Sequence, residues 1–128
     1  MAAASGGYHE NYERLKPATR DRHRAIVSIM EELEAADWYD QRIDATDDPE
    51  LAAILAHNRD EEKEHAAMLL EWLRRRDPAL DEHLRDYLFI EGSVIGREHA
   101  LEGGDGDGAP SPVAGSLSIG SLRAEVKR

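Results

Sequence analysis

The sequence predicts an all-α fold in which an antiparallel two-helix hairpin and a short C-terminal helix form a four-helix bundle by homodimerisation. Three observations predict this fold. Apolar residues recur at helical spacing over residues 15–43 and again over 49–76. Only a short polar break separates the two segments, so the helices lie side by side and antiparallel. A lone hairpin has one seam and leaves the apolar residues on its far side exposed to solvent. We therefore expect a second copy of the chain to cover that side.

The break between the long helices carries the signals of a helix end followed by a helix start. The segment 44–49 reads DATDDP, a composition that ends the first helix. Asp47 with Glu50 three residues later fits a capping box, and Pro49 suits a first helical turn. Asp77-Pro78 then stops the second helix. A short third helix is predicted over residues 78–90.

Composition excludes several functional classes. The chain has 128 residues, a net charge of -11 and no cysteine. An acidic surface repels nucleic acid and anionic lipid, so neither is expected as a partner. The lack of cysteine removes disulfides, thiolate zinc sites and iron–sulfur clusters, so any metal must be held by carboxylate and imidazole. The longest apolar stretch, residues 25–30, is too short to span a bilayer. We therefore expect a soluble cytoplasmic protein.

A carboxylate lies inside the apolar seam of each long helix. Glu32 interrupts an otherwise apolar line in the first helix, and Glu62 does so in the second, where His65 follows one turn later on the same face. In a hairpin that turns near residue 47, Glu32 precedes the turn by about as many residues as Glu62 follows it. The two carboxylates should therefore lie at the same level.

These three residues form half of a di-metal ligand set. A buried carboxylate without a partner is costly, and a divalent cation would neutralise it. Carboxylate-bridged di-iron bundles use two plain Glu and two Glu-x-x-His pairs, whereas this chain has one plain candidate, Glu32, and one pair, Glu62 with His65. A two-fold dimer would complete the set. Oxygen-rich ligation with one imidazole per metal favours iron or manganese over zinc.

The sequence resembles the encapsulated ferritins, which are ferritin-like proteins housed inside encapsulin shells. The resemblance covers about residues 20–91 and is dense in four segments: 22–27 (RHRAIV), 30–34 (MEELE), 37–41 (DWYDQ) and 57–66 (HNRDEEKEHA). It implies a ferritin-like bundle, a ring-shaped decamer built as a pentamer of dimers, and a ferroxidase site with two irons at each dimer interface. Because such a ring encloses no cavity, oxidised iron is stored in the surrounding shell.

The resemblance also implies roles for individual residues. Glu32, Glu62 and His65 would be the catalytic iron ligands, and Tyr39 would lie beside the centre. An outer site through which iron enters would consist of three further residues, Glu31, Glu34 and Trp38. The neighbouring His57, Glu61 and Glu64 are read either as transient metal ligands or as ordinary surface charge, and the sequence leaves this open.

The C-terminal tail resembles the cargo-loading peptide of encapsulin systems. Spaced aliphatic anchors, Leu117, Ile119 and Leu122, with the flexible Gly120 between them, could fill apolar pockets on the inner wall of a shell. We therefore expect a cytoplasmic protein enclosed in an encapsulin nanocompartment. The predicted organisation has four parts: a flexible leader (1–12), a helical ferroxidase domain (13–91), a disordered linker (92–115) and an encapsulin-targeting tail (116–128).

The expected function is a ferroxidase that oxidises Fe(II) to Fe(III) at a di-iron site shared by two subunits. Two alternatives remain open. In one, the chain is a non-catalytic helical cargo adaptor whose central polar residues only set the register of the dimer. In the other, it is a related di-iron or di-manganese peroxidase. The sequence leaves open whether O₂ or peroxide is the oxidant.

Overall fold

The computed structural model describes residues 6–103, and the regular elements in this range are all helical. A short 3-10 helix, Tyr12–Arg14, precedes α1 (Pro17–Ala45) and α2 (Pro49–Arg74). Two shorter helices follow, α3 (Pro78–Tyr87) and α4 (Val94–Leu101). The all-α prediction is confirmed. None of the described helices is long and apolar enough to cross a membrane.

The turn between α1 and α2 consists of residues 46–48 and is closed by side-chain caps. Asp48 is the N-cap of α2, and its carboxylate accepts from the backbone N–H of Glu50 at 3.0 Å and of Leu51 at 3.5 Å. Pro49 occupies the first helical position, as predicted. The predicted cap at Asp47 was wrong by one residue. Asp48 directly precedes Pro49, so its side chain is the one that reaches the free N–H groups of the first turn.

The long helices pack against each other through small side chains. The buried apolar residues are Ala25 and Ala36 on α1, and Ala66 and Leu73 on α2. Alanines at the contact allow the two backbones to approach closely. Two polar contacts show the antiparallel direction, since Asp40 meets Arg59 while the earlier Glu32 meets the later His65.

Much of the apolar surface of the hairpin faces outward. Ile26 and Leu33 on α1 are about half exposed, as are Ile54 and Met68 on α2. A soluble helical protein rarely leaves such side chains exposed along a whole helix pair. The hairpin therefore carries an apolar surface suited to a further packing partner, which supports the prediction of homodimerisation.

The described residues 77–103 belong to a second compact unit. Asp77 caps α3 by accepting from Leu80 N–H at 3.0 Å, and Ser93 caps α4 by accepting from Gly96 N–H at 2.9 Å. The predicted third helix ends at Tyr87 rather than at residue 90. Helix α4 lies in the first part of the segment 92–115, which the sequence predicted as a linker. The eight-residue helix is too short to show a helical period clearly.

Candidate metal centre

Glu32, Glu62 and His65 come together across the hairpin. Each offers one ligand atom, and these atoms all lie within 4.8 Å of one another. The imidazole Nδ1 of His65 lies 3.5 Å from Glu32 Oε2 and 3.7 Å from Glu62 Oε2. The two carboxylates are thus at one level of the hairpin, as predicted from their distances to the turn.

The helices themselves place these three side chains. Glu62 and His65 are three residues apart on α2, so they project from the same face one turn apart. Glu32 projects from the middle of α1 toward that face. The neighbouring alanines, Ala36 and Ala66, are buried and keep the backbones close enough for three polar side chains to meet.

The cluster is partly shielded from water. The side chains of Glu32 and Glu62 are each 24% exposed, and that of His65 is 43% exposed. Glu32 Oε2 is itself buried and has no hydrogen-bond partner. A buried acceptor without a donor is unfavourable, whereas a cation at this point would coordinate the free oxygen.

Electrostatics favour the gain of positive charge at the cluster. The pKa of the Glu32 carboxyl is raised, chiefly because a hydrogen bond to Glu62 forms only when one of the two carboxyls holds a proton. Removal from water and the negative charge of Glu62 raise this pKa further, while His65 opposes the rise. A proton or a metal cation would relieve the same repulsion.

The donor set fits a hard or borderline divalent cation. It comprises two carboxylates and one imidazole, and it is the one group of three or more metal-ligating side chains found in residues 6–103. Iron and manganese accept such oxygen-rich ligation. One chain therefore offers three ligands, which is half of the set of two plain Glu and two Glu-x-x-His pairs used by carboxylate-bridged di-iron bundles.

Tyr39 lies on α1, about two helical turns beyond Glu32. It follows Glu32 by seven residues, about 10 Å along the helix axis at 1.5 Å per residue. Its ring contacts the guanidinium of Arg42, whose central carbon is 5.6 Å from the ring centroid. The predicted place of Tyr39 beside the centre stays a prediction about the assembled protein.

The predicted outer site lies on the surface of α1. Glu31 and Trp38 are exposed, while Glu34 is half-buried. Their spacing of three and four residues puts Glu31, Glu34 and Trp38 near one another on successive turns. Within the described part of one chain, these residues do not form a group of three ligand atoms within 4.8 Å of one another.

The residues left open by the sequence form an exposed surface on α2. His57 Nε2 lies 2.9 Å from Glu61 Oε1, and both side chains are at least half exposed. Glu64 is also exposed and borders a shallow groove beside Met68. The contact between His57 and Glu61 is that of an ordinary helical i, i+4 pair.

Sequence reasoning missed two features of the hairpin. The first is an open groove of about 540 Å³ that includes His65 and continues along the helices past Ala25, Ser28, Met68, Leu69 and Trp72. Large side chains, including Met68, Leu69 and Trp72, line this groove. The second is the ion pair between Asp40 on α1 and Arg59 on α2, at 2.8 Å.

The predicted shell-binding residues lie outside the described range. Leu117, Ile119, Gly120 and Leu122 belong to residues 104–128, and their role stays a prediction from the sequence. The same holds for the first five residues of the predicted leader.

Comparison with known proteins finds relatives that cover most of this chain. An encapsulated ferritin-like protein of Rhodospirillum rubrum is 63% identical over 98% of this chain and 94% of its own length. The encapsulin nanocompartment cargo protein EncC of Myxococcus xanthus is 37% identical over 76% of this chain and 80% of its own length. The crystal structure of protein ne0167 from Nitrosomonas europaea superposes with a TM-score of 0.66 at 64% identity, covering 68% of this chain and 96% of that one.

The family model described as EncFtn-like matches residues 7–91, which include the whole hairpin and α3. The matched range contains Glu32, Glu62 and His65. The chain therefore has a ferritin-like helical fold and belongs to the EncFtn-like family of encapsulated ferritin-like proteins.

Proposed function

We propose that this chain is a ferroxidase that oxidises Fe(II) to Fe(III) at a di-iron site formed between two subunits, and that it delivers the iron for storage inside an encapsulin shell. One observation carries the proposal. Glu32, Glu62 and His65 meet across the hairpin with ligand atoms within 4.8 Å of one another, and a buried Glu32 oxygen there has no hydrogen-bond partner. A bound cation would coordinate that oxygen.

Iron is the substrate of the proposed reaction. Two Fe(II) ions held side by side can together give two electrons to an oxidant of the dioxygen or peroxide class. The chain's own part is electrostatic, because paired carboxylates neutralise two divalent cations and favour the more highly charged ferric product. The imidazole of His65 adds a neutral ligand and so leaves the charge balance to Glu32 and Glu62.

A second subunit would complete the site. The outward-facing apolar residues of the hairpin, including Ile26 and Leu33, give a surface on which another copy could pack. In a two-fold pair each ligand is used twice, giving four carboxylates and two imidazoles for two metals. We infer that the functional unit is a dimer, and that the resemblance to encapsulated ferritins extends to a pentamer of such dimers.

Delivery into a shell is supported by two similarities. The Myxococcus relative is named an encapsulin nanocompartment cargo protein, and the match to the Rhodospirillum protein extends over 98% of this chain. The tail anchors Leu117, Ile119 and Leu122 would dock on the shell, with Gly120 between them. Cytoplasmic synthesis followed by enclosure in the nanocompartment is the corresponding localisation.

The test is iron oxidation by single-ligand variants. Anaerobic Fe(II) is mixed with the full-length protein and oxygenated buffer, and ferric absorbance is followed over time. We expect Glu32→Ala, Glu62→Ala and His65→Ala each to slow oxidation at least about tenfold, since each removes a ligand used twice per site. Glu82→Ala, which removes an exposed carboxylate on α3, is the matched control and should oxidise iron at the wild-type rate.

The same measurement separates the alternatives. Oxidation at the wild-type rate in all three ligand variants would refute the ferroxidase proposal. A protein that dimerises equally well with and without chelator and oxidises no iron would be the cargo adaptor. Faster turnover of peroxide with a reducing substrate than of Fe(II) would identify the peroxidase. The oligomeric state is followed in parallel by sedimentation.

A further inference from the structure

An ion pair joins the two long helices between the metal cluster and the hairpin turn. Arg59 on α2 donates from Nη1 to Asp40 Oδ1 on α1 at 2.8 Å. Its Nε also donates to Asp60 Oδ1, the next residue on its own helix, at 3.0 Å. The Arg59 side chain is 25% exposed, so its guanidinium is held against the hairpin rather than extended into solvent.

The position of this pair relates it to the cluster. Arg59 precedes Glu62 by three residues, about 4.5 Å along α2, and Asp40 follows Glu32 by eight residues, about 12 Å along α1. A contact at this place limits how far α1 can slide along α2. It also limits the rotation of the turn of α2 that carries Glu62 and His65.

The cluster needs such a restraint because its own groups repel. Glu32 and Glu62 bring two carboxylates together, with oxygens 3.5 and 3.7 Å from the same His65 Nδ1. Without a cation, two ionised carboxylates at one level repel each other. Small side chains such as Ala36 and Ala66 supply little contact area with which to resist this repulsion.

The guanidinium of Arg59 holds the helices without neutralising the cluster. Its Nη1 and Nε bond to Asp40 and Asp60, so its charge is directed to those two carboxylates. An arginine that reached Glu32 or Glu62 would compete with an incoming cation. The pairing with Asp40 and Asp60 leaves the ligand carboxylates available.

We propose that Arg59 and Asp40 are positioning residues that form a register clamp, holding Glu62 and His65 opposite Glu32 so that the cluster is shaped for a divalent cation before one binds. The inference rests on the proposed function in that iron is taken as the natural cation. The clamp itself is a property of the metal-free hairpin and can be tested with another divalent ion.

The test compares two aspartates that bind the same guanidinium. Asp40→Asn removes the negative charge that pairs with Arg59 across the helices, whereas Asp60→Asn removes the one that pairs with it within α2. Affinity for Co²⁺ is measured by optical titration of the full-length proteins, at a temperature where denaturation curves show each variant folded. We expect Asp40→Asn and Arg59→Gln to weaken Co²⁺ binding about three- to fivefold, the range open to a partly exposed ion pair, and Arg59→Lys to recover part of the loss.

Asp60→Asn distinguishes positioning from simple charge. Each aspartate variant removes one negative charge, and Asp60 is only two residues from Glu62. If lost charge alone mattered, Asp60→Asn would weaken Co²⁺ binding at least as much as Asp40→Asn. The clamp predicts the opposite order, with Asp60→Asn near the wild-type affinity. Equal losses, or wild-type affinity in Asp40→Asn, would overturn the proposal.

A crystal structure of metal-free Arg59→Gln gives a readout that does not depend on cation binding. The separation of Glu32 Oε2 and His65 Nδ1, 3.5 Å in the wild-type chain, should increase by about 1 Å or more once the helices can slide. An unchanged separation would refute the clamp. Wild-type protein that binds no Co²⁺ and oxidises no iron would instead refute the proposed function, and this distance would still decide the clamp.

Discussion

Glu32 and His65 meet across the hairpin, with Glu32 Oε2 and His65 Nδ1 3.5 Å apart. Glu62 joins them from the turn of α2 that precedes His65. The oxygen of Glu32 that faces this group is buried and has no hydrogen-bond partner. The hairpin thus keeps an unsatisfied acceptor at its centre, where most folds would place an apolar side chain.

A first prediction concerns Glu32→Gln in the metal-free protein. The pKa of Glu32 is raised in the fold, chiefly by its contact with Glu62, so the folded protein binds the carboxyl proton more tightly than the unfolded chain does. Its stabilising contribution is present below the unfolded value of 4.5 and is lost as pH rises through the folded pKa. We expect Glu32→Gln to stabilise the chelator-treated protein at neutral pH by about 1 kcal/mol, the usual scale of a single substitution.

Urea denaturation in chelator, at about pH 5 and at about pH 8, measures this effect. From the lower pH to the higher, the free energy of unfolding should fall more for the wild type than for the variant. With Co²⁺ present, the wild type should be more stable than Glu32→Gln. Saturating metal at about a hundredfold excess over its dissociation constant stabilises the wild type by about 2.7 kcal/mol, and a variant lacking a ligand gains less. A variant that is less stable under both conditions would contradict the prediction.

A second prediction concerns the start of α2. Asp48 accepts from two backbone N–H groups of the first turn, so Asp48→Ala should lower the free energy of unfolding by about 1 kcal/mol. Asp47→Ala is the matched control because Asp47 is exposed and the cap is made by its neighbour. Equal losses in the two variants would show that the helix begins elsewhere.

A third prediction concerns acid stability. Hydrogen bonds from Arg74 and Arg75, each at 2.7 Å, lower the pKa of Glu71 to about 2. Because the folded pKa is depressed, the stabilisation is present above the unfolded value of 4.5 and is lost as pH falls through about 2. Glu71→Gln should therefore flatten the dependence of melting temperature on pH between these values, with a small effect because the pair is on the surface.

Glu50→Gln is the control for that experiment, since it removes an exposed carboxylate from the first turn of α2. Its dependence of melting temperature on pH should follow the wild type through the same range. If the melting temperatures of Glu71→Gln and Glu50→Gln depend on pH in the same way, Glu71 is not the source of the acid sensitivity.

A fourth prediction concerns self-association. Leu33 is 53% exposed and lies next to Glu32 on α1. If a second copy covers this surface, Leu33→Lys loses the burial of a leucine, worth about 1.5–3 kcal/mol, and weakens the dimer at least about tenfold. Iron oxidation should fall with dimerisation, since each subunit supplies half of the proposed site.

Sedimentation at several protein concentrations measures the dimer, and ferric absorbance in the same samples measures activity. Gln41→Lys adds the same charge to an exposed position of α1 and should change neither property. Full oxidation by a Leu33→Lys monomer would contradict the shared site.

The sequence predicted the two long helices and their direction because hydrophobic periodicity and chain breaks are local signals. It predicted that Glu32 and Glu62 meet because each lies about the same number of residues from a short turn. In two antiparallel helices, equal numbers of residues from the turn are equal distances along the axis. It misplaced the cap by one residue, at Asp47, since neighbouring aspartates differ only in backbone geometry. It did not predict helix α4, whose short length conceals the period.

The sequence by itself thus determined the hairpin, the level of its central carboxylates and the set of residues able to bind a cation. Tertiary structure alone decided which atoms face one another: that Glu32 Oε2 lies buried beside His65 Nδ1, that Arg59 turns to Asp40, and that Tyr39 lies beside Arg42. Helical spacing assigns a residue to a face and a level. Side-chain rotation and the closeness of the backbones, set here by Ala36 and Ala66, depend on packing between helices.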